Sequence, residues 1–446
     1  MSQPDNNAAG PCIGYVVNAF PVASETFLVN ELRALAEREL PVVVLALDAA
    51  VPPAPHACAA TLSVPVLRAP SGPWRSLVFL RAHAVAAAQR PRAYFGQLGG
   101  ALGQLGKPSE AGGRSRWSRA WRRLRQLSLA CWLADASRRL GVVHLHAFYA
   151  NKPLELARAA AAFTGASYSF AAHAKDLYTT PERRLRRGLA RARFAVTCHE
   201  DGARRLRELA GARAGRVMFQ RHGTDLARFR PRPAVQRDDR LLLAVGRLTP
   251  KKGFHDLVAA CAQLRAAGRD FRCVIAGDGR LRDDLEGLIA EHGLAGQVSI
   301  LGFQTQDQLA EWYARASVLV MPSRVLDDGN RDGIPNVVVE AMCSGTPVIA
   351  TTAGSIPEVI EDGVTGRLVA PGDPAALAAA IEAALADPAA ARQLARDALN
   401  ALQGLDYSAC AAPLAKKFSS LLARHADAPV AAGTQGAADG LRGGAR

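Results

Sequence analysis

The sequence predicts an α/β protein built from two doubly wound, Rossmann-like domains that face each other across a cleft. Three observations carry that expectation. Short apolar runs recur along the chain and are continuous rather than alternating, the pattern of parallel strands buried on both faces. Amphipathic stretches of helical periodicity fall between them. The alternation occurs twice, on either side of TDLARFRPRPAVQRDDR, which holds two prolines and clustered charge without periodicity and reads as a linker. With 446 residues, 49% of them hydrophobic, the chain can close two cores.

Taken in order, CIGYVV is the first strand. Residues 24–39, SETFLVNELRALAERE, place Phe27, Leu28, Leu32, Leu35 and Ala36 on one helical face, with Ser24 at the N-cap position. PVVVLAL, VVHLHA, SYSFAA, FAVTC and RVMFQ continue as strands, with NKPLELARAAAAF and EDGARRLRELA as helices among them. Residues 70–140 interrupt the pattern. There GGALGQLGKPSEAGG reads as a mobile Gly-rich loop, and RSRWSRAWRRLRQLSLACWLADASRRL as a long helix in which Trp117, Trp121, Leu124, Leu127 and Leu129 alternate with arginines. That helix fits an anionic membrane surface or an ordinary surface helix packed on its domain. After the linker come LLLAVG, FRCVIAG, VSILGF, VLVMPS, PVIAT and GRLVAP as strands, again separated by helices. The expected domains are therefore 1–230, basic and carrying the insertion, and 238–405. A helix over 406–424 has the option of crossing back to the first domain, and a Gly/Ala-rich tail over 425–446 is expected to be disordered.

Composition narrows the function. The net charge of +15 is unevenly placed: residues 1–230 carry 33 Lys and Arg against 15 Asp and Glu, the remainder 22 against 25. The first half should meet an anionic partner, whether nucleic acid, a lipid headgroup surface or a phosphorylated acceptor. No helix-turn-helix and no strand platform of interleaved aromatics supports nucleic acid as the partner. The eight cysteines are scattered with no CxxC pair, which reads as reduced, buried and structural thiols in a cytoplasmic protein. The start, MSQPDNNAAGPC, lacks the basic-then-apolar order of a signal peptide, and no run reaches the roughly eighteen uncharged apolar residues of a spanning helix.

In doubly wound sheets ligands sit beyond the carboxyl ends of the strands, so chemistry is expected on the loops that follow them. AVGRLTPKKGF puts Arg247, Lys251 and Lys252 between a strand end and a helix start, an arrangement suited to phosphate. It is no Walker A loop. IAGDGRLRDDL offers Gly277 and Gly279 after a strand, as a tight turn or as ligand contacts. RDGIPNVVVEAM places Asp332 in a loop, Gly333 and Pro335 at a helix start, and Glu340 about a turn and a half inside. An acid accepts bonds from sugar hydroxyls, free amides between Gly333 and Val338 hold phosphate, and a second acid takes a vicinal diol. Together these suit a nucleoside diphosphate sugar.

DGIPNVVVEAM, with GTPVIAT, GSIPEVI and DGVTGRLV behind it, resembles the donor site of family 4 retaining glycosyltransferases of the GT-B fold, whose signature is two glutamates with seven residues between them. The likeness extends to VGRLTPKKG, IAGDGRLRDDLE and RHGTDLARFRP, and PVASETFLVNEL and YSFAAHAKDLY are similar to a branch acting in bacterial exopolysaccharide assembly of the colanic-acid type. Here Asp332 stands where the first Glu is usual, one methylene shorter at unchanged spacing. The resemblance implies that Arg247 and Lys252 stabilise the leaving diphosphate, Asp332 meets hydroxyls of the transferred sugar, and Glu340 binds the ribose. It implies that Ile334, Pro335, Asn336, Val337 and Val338 contribute the donor-binding backbone beside Gly333, Gly277 and Gly279, and that His173 faces the sugar from the first, acceptor-side domain. Lys175 and Asp176 are plausible neighbours. Ser24 and Glu25 fit the cleft or, equally, an N-cap and a first-turn acid. His144 and His146 alternate on one strand, at least one of them as a structural residue. The reaction implied is retaining hexosyl transfer from a UDP- or GDP-sugar to a saccharide acceptor, expected to be linked to a lipid diphosphate, at the inner face of the cell membrane. No metal or other cofactor is expected, because the cations do that work. A sugar-nucleotide epimerase of the same fold and a basic nucleic-acid binder are the alternatives.

Overall fold

The computed structural model describes residues 10–50, 62–72, 75–103, 105 and 115–426. The first sheet holds seven strands: β1 (Cys12–Val17), β2 (Val42–Ala46), β3 (Val66–Arg68), β4 (Val142–Ala147), β5 (Ser167–Ala172), β6 (Ala195–Thr197) and β7 (Val217–Phe219). Their order is β3-β2-β1-β4-β5-β6-β7 and every pairing is parallel. The second sheet holds β8 (Asp238–Val245), β9 (Arg272–Ala276), β10 (Val298–Gly302), β11 (Ala316–Met321), β12 (Val348–Thr351) and β13 (Arg367–Val369), ordered β10-β9-β8-β11-β12-β13 and again all parallel. In both, the order reverses at the first strand of the domain, which opens a crevice at its carboxyl end.

Continuous apolar strands follow from burial on both faces. Along β1, Ile13, Tyr15 and Val17 enter one core layer while Cys12 and Val16 enter the other. Along β8, Leu241, Leu243 and Val245 face one layer, and Leu242 and Ala244 the other. Helices cover these faces: α1 (Thr26–Ala36) on the first domain, then α2 (Arg75–Gln89), α3 (Pro91–Leu102) and α4 (Arg116–Arg139), followed by α5 (Lys152–Thr164), α6 (Ala174–Thr179), α7 (Glu182–Leu189) and α8 (Glu200–Ala210). The second domain adds α9 (Phe254–Ala266), α10 (Arg282–Glu291), α11 (Gln306–Arg315), α12 (Asn336–Cys343), α13 (Pro374–Ala386) and α14 (Pro388–Ala401). The last helix, α15 (Tyr407–Ala426), packs on α1, and its Leu414, Ala415, Phe418 and Leu421 complete the first domain's core beside Tyr15. The chain thus passes between the domains twice. The two passages touch: Thr224 N–H donates to Leu405 O (2.8 Å) and Tyr407 N–H to Thr224 O (3.1 Å).

Several local expectations need revision. Ser24 is not a cap; α1 starts at Thr26 with Glu25 at the N-cap, because Val22 O and Glu25 N–H first close a turn (2.9 Å). The Gly-rich stretch is in part helical, since Gly99 to Leu102 finish α3; residues 104 and 106–113 lie outside the described residues, as does the tail beyond 426. The strand β3 was not anticipated, being short and only half-buried. The linker is pinned rather than loose: the half-buried Arg237 guanidinium donates to Tyr313 O, Ala316 O, Ser344 O and Gly345 O at 3.2, 2.7, 3.5 and 2.7 Å. In α4 the apolar residues divide. Leu127 and Leu129 enter the core, whereas Trp117 and Trp121 stand 68% and 72% exposed. Cys410 is half-buried, the other described cysteines are buried, and Cys58 lies outside the described residues. Among the described residues no single helix is long and apolar enough to cross a membrane; α13 and α14 pass that test only jointly and are bent by 101°.

Candidate functional site

A cleft of about 730 Å³ opens between the domains at the carboxyl ends of their strands. The second domain supplies one wall. After β8, Arg247 follows Gly246 into the cleft, and a single 3-10 turn, Pro250–Lys252, presents Lys251 and Lys252. Both lysines close on Asp332, with Lys251 Nζ 2.6 Å from Oδ1 and Lys252 Nζ 2.8 Å from Oδ2, all three side chains being nearly buried. The second contact is an ion pair without hydrogen-bond alignment. Burial alone would raise the Asp332 carboxyl; Lys252 and Lys251 overcome that and hold it down at about 2. Lys252 is itself drawn below its usual range by burial, against the opposing charge of Asp332.

The backbone from Asp332 into α12 lines the cleft through Gly333, Ile334, Pro335, Asn336 and Val337, with Pro335 as N-cap at φ −65°. Glu340 reaches the same cavity from the second turn. It accepts from the Tyr313 hydroxyl (3.0 Å), and burial pushes its carboxyl up to about 7 against that bond and the charge of Arg228. Two expected donor contacts do not reach the cleft. Val338 is fully buried in the core, and its N–H closes the first turn on Pro335 O (3.0 Å). Gly279 is a packing glycine: a Cβ there would meet Leu248 O at 2.6 Å, and it stands outside the cavity wall. Gly277 does line the cleft, and a Cβ there would lie 1.9 Å from Gly246 O.

The first domain forms the opposite wall. His173 is the N-cap of α6 after β5, and its Nε2 lies 3.0 Å from Phe148 O, so Nε2 carries the proton and Nδ1 offers a lone pair. Burial lowers it to about 4, leaving a neutral ring at neutral pH. Asp176 lines the cavity but is tied to the backbone, accepting from His173 N–H (2.9 Å) and from Ala150 N–H; burial pushes it up to about 7 despite those bonds. Lys175, Ser24 and Glu25 also line the cleft. Burial raises the Glu25 carboxyl, opposed by the Tyr149 hydroxyl and by the charge of Arg247 across the cleft. His144 and His146 are fully buried among Ser167 and Ser169, so both are structural.

Some neighbours lie in the quoted motifs but have partners that the sequence did not assign. His222, after β7, packs at a tilt against Phe27 and His173, at ring distances of 4.4 and 5.1 Å. With Cys198 they bring three possible metal-ligand atoms within 4.8 Å of one another, the two imidazole rings being inclined at 32°. Arg331 stands over the Tyr178 ring at 4.2 Å, and Glu358 of the second domain accepts from the first amides of α8, Glu200 N–H (2.7 Å) and Asp201 N–H (3.1 Å). These contacts hold the two walls together.

Comparison with known proteins places this geometry. Residues 227–400 match the family model described as Glycosyl transferases group 1. A protein named as a colanic acid biosynthesis glycosyltransferase, WcaL of Escherichia coli K12, is 37% identical over 164 residues, 36% of this chain and 40% of that protein. The amylovoran biosynthesis glycosyltransferase AmsK of Erwinia amylovora is 36% identical over 171 residues, 38% and 42% of the two chains. The matches thus span about two fifths of these relatives. The whole-chain architecture is similar to Anabaena HepE crystallised with UDP and glucose, at TM-score 0.66 and 20% identity over 92% of this chain and all of that one. At that identity the likeness concerns the fold, the two-domain GT-B arrangement.

Proposed function

We propose that this chain, a two-domain GT-B protein whose second domain is of the glycosyltransferase group 1 family, transfers a hexose from a nucleoside diphosphate sugar to a saccharide acceptor in exopolysaccharide assembly, with retention at the anomeric carbon. The observation that carries this is the convergence of Arg247, Lys251, Lys252 and the amino end of α12 on one end of a cleft whose other wall presents His173. Fixed cations and a helix dipole suit the diphosphate, and the named exopolysaccharide relatives and the UDP complex of the structural neighbour support the donor class.

In this reading the bond from the anomeric carbon to the diphosphate oxygen breaks, and the departing charge is met by Arg247 and Lys252. The acceptor hydroxyl oxygen bonds to the same carbon on the face just vacated. Its proton passes to a phosphate oxygen of the leaving group, so nucleoside diphosphate and glycoside are the products. Asp332 holds the two ammonium groups at the cleft wall while standing beside the transferred sugar. Glu340 takes the ribose diol, and His173 faces the sugar. The reaction uses no metal, since side-chain cations carry the charge. The donor is a UDP- or GDP-hexose, and the acceptor is a saccharide on a lipid diphosphate at the cytoplasmic face of the membrane.

Isothermal titration against a panel of nucleotide sugars, followed by product analysis with and without lipid-linked acceptor, tests this. Transfer should require the acceptor, persist in EDTA and fall roughly a hundredfold in Lys252→Ala. Conversion of donor without acceptor, or full turnover in Lys252→Ala, would overturn the assignment.

A further inference from the structure

Of the ten large apolar side chains that stand exposed among the described residues, six are on α2, α3 and α4: Leu77, Leu80, Phe95, Leu102, Trp117 and Trp121. They are not scattered. Leu77 and Leu80 lie one turn apart on α2, with Arg81 beside them, on the side opposite the fully buried Ala82 and Ala86. Phe95 and Leu102 are two turns apart on α3, and Trp117 and Trp121 one turn apart on α4, with exposed Arg125 on the next turn. The three helices pack on one another, and their inner sides join the first domain's core through Ala82, Ala86, Leu127 and Leu133. Core packing therefore does not require the outer residues to be apolar.

The charge around them is one-sided. Residues 75–139 contain 13 Lys and Arg against two acids, Glu110 and Asp135. Aromatic and aliphatic side chains among arginines on helices lying flat on a domain are the composition of an interfacial membrane surface: apolar groups enter the headgroup boundary while the guanidinium groups meet anionic lipid. A second copy of the chain would bring the same positive field against itself. Nucleic acid would meet the arginines and leave the leucines without a role, since aliphatic chains do not stack on bases.

We propose that the outer face of α2, α3 and α4 docks on an anionic lipid surface, with Trp117, Trp121, Leu77, Leu80, Phe95 and Leu102 entering the headgroup layer. This does not rest on the glycosyl-transfer reading, although it would hold the acceptor-side domain at a bilayer. The test reads binding without turnover, so either proposal can fail alone.

The purified full chain is mixed at low salt with phosphatidylcholine vesicles, with or without phosphatidylglycerol, and binding is read by sedimentation and by quenching of tryptophan fluorescence with brominated lipid. The chain should sediment with the anionic vesicles only, its tryptophan emission should be quenched there, and binding should weaken as salt shortens the Debye length. Trp117→Ala with Trp121→Ala should cut partitioning roughly tenfold, as should Arg122→Glu with Arg125→Glu. Both pairs are exposed, and circular dichroism confirms that the fold survives. Equal binding to neutral vesicles, no binding to either, or self-association lost in the tryptophan variant without vesicle binding would each overturn the proposal. So would wild-type binding in both variant pairs.

Discussion

The contact between Asp332 and the two lysines allows a quantitative test of how the donor wall is held. Asp332→Asn keeps the shape and removes the charge. Each ammonium lies under 3 Å from a carboxylate oxygen, and at an effective dielectric of about 20 each contact is worth roughly 6 kcal/mol before desolvation is subtracted. The titration shift bounds the net value from below. Holding the carboxyl at about 2 rather than its usual 3.8 corresponds to about 2 kcal/mol of preference for the ionised form in the folded protein. Removing the charge costs more, because Lys251 and Lys252 are left nearly buried and repelling each other, and truncating one partner of a buried ion pair costs about 3 to 5 kcal/mol. Urea unfolding of Asp332→Asn should therefore show a loss of about 3 kcal/mol. In a double-mutant cycle with Lys252→Ala the losses should be clearly less than additive. A loss below about 1 kcal/mol with additive behaviour would refute the reasoning and leave Asp332 as a group directed at the ligand alone.

Other expectations follow from the same geometry. Glu340, Asp176 and Glu31 are each pushed up to about 7, chiefly by burial, so their contribution to stability is full below about pH 4 and lost as pH rises to 7; each can account for up to about 4 kcal/mol. Asp332 acts in the opposite sense, its contribution being present above about pH 4 and lost toward pH 2. The thermal midpoint should thus be highest near pH 4 and fall from there to about pH 7, and Glu340→Gln should flatten part of that fall; a flat wild-type profile would contradict it. Phe418→Ala, at the core contact with Tyr15 (5.8 Å between rings), should lower stability by about 3 to 5 kcal/mol in urea unfolding, whereas a loss within error would mean that α15 is only loosely seated. Glu358→Ala should remove the interdomain cap on α8, at a cost of about 1 kcal/mol, and enlarge the radius of gyration in solution scattering; an unchanged radius would show that other contacts hold the walls together.

The strands were legible because a parallel strand buried on both faces has to be apolar along its length, as PVVVLAL and LLLAVG are. The loops bearing Arg247, Asp332 and His173 were legible because topology fixes where chemistry can sit. What pairs across sequence distance was not. An acid before a helix start looks available to a ligand, and nothing local says that Lys251 and Lys252 fold back onto it. Val338 shows the same limit: its place near a helix start suggested a free amide, while a first-turn hydrogen bond and the core claim it. His222 and Glu358 lie in stretches that carry the family likeness, RHGTDLARFRP and GSIPEVI, but they act through partners on other elements, so their roles could not be read locally. The tryptophans of α4 were ambiguous for a related reason, since helical periodicity alone does not say which face the domain will cover.

The twofold passage of the chain between the domains has a mechanical consequence. A single connection would let one lobe swivel freely about the other. Here the segment near Thr224 and the segment near Asp406 run parallel in a short bridge, and Gly223 lies so near Tyr407 that a Cβ would sit 2.1 Å from its Cα. Two strands fastened side by side resist twist and allow bending across their shared line. Such a joint favours a swing about one axis for any opening of the cleft, a motion that would keep Arg247, the lysines and His173 in register on closing.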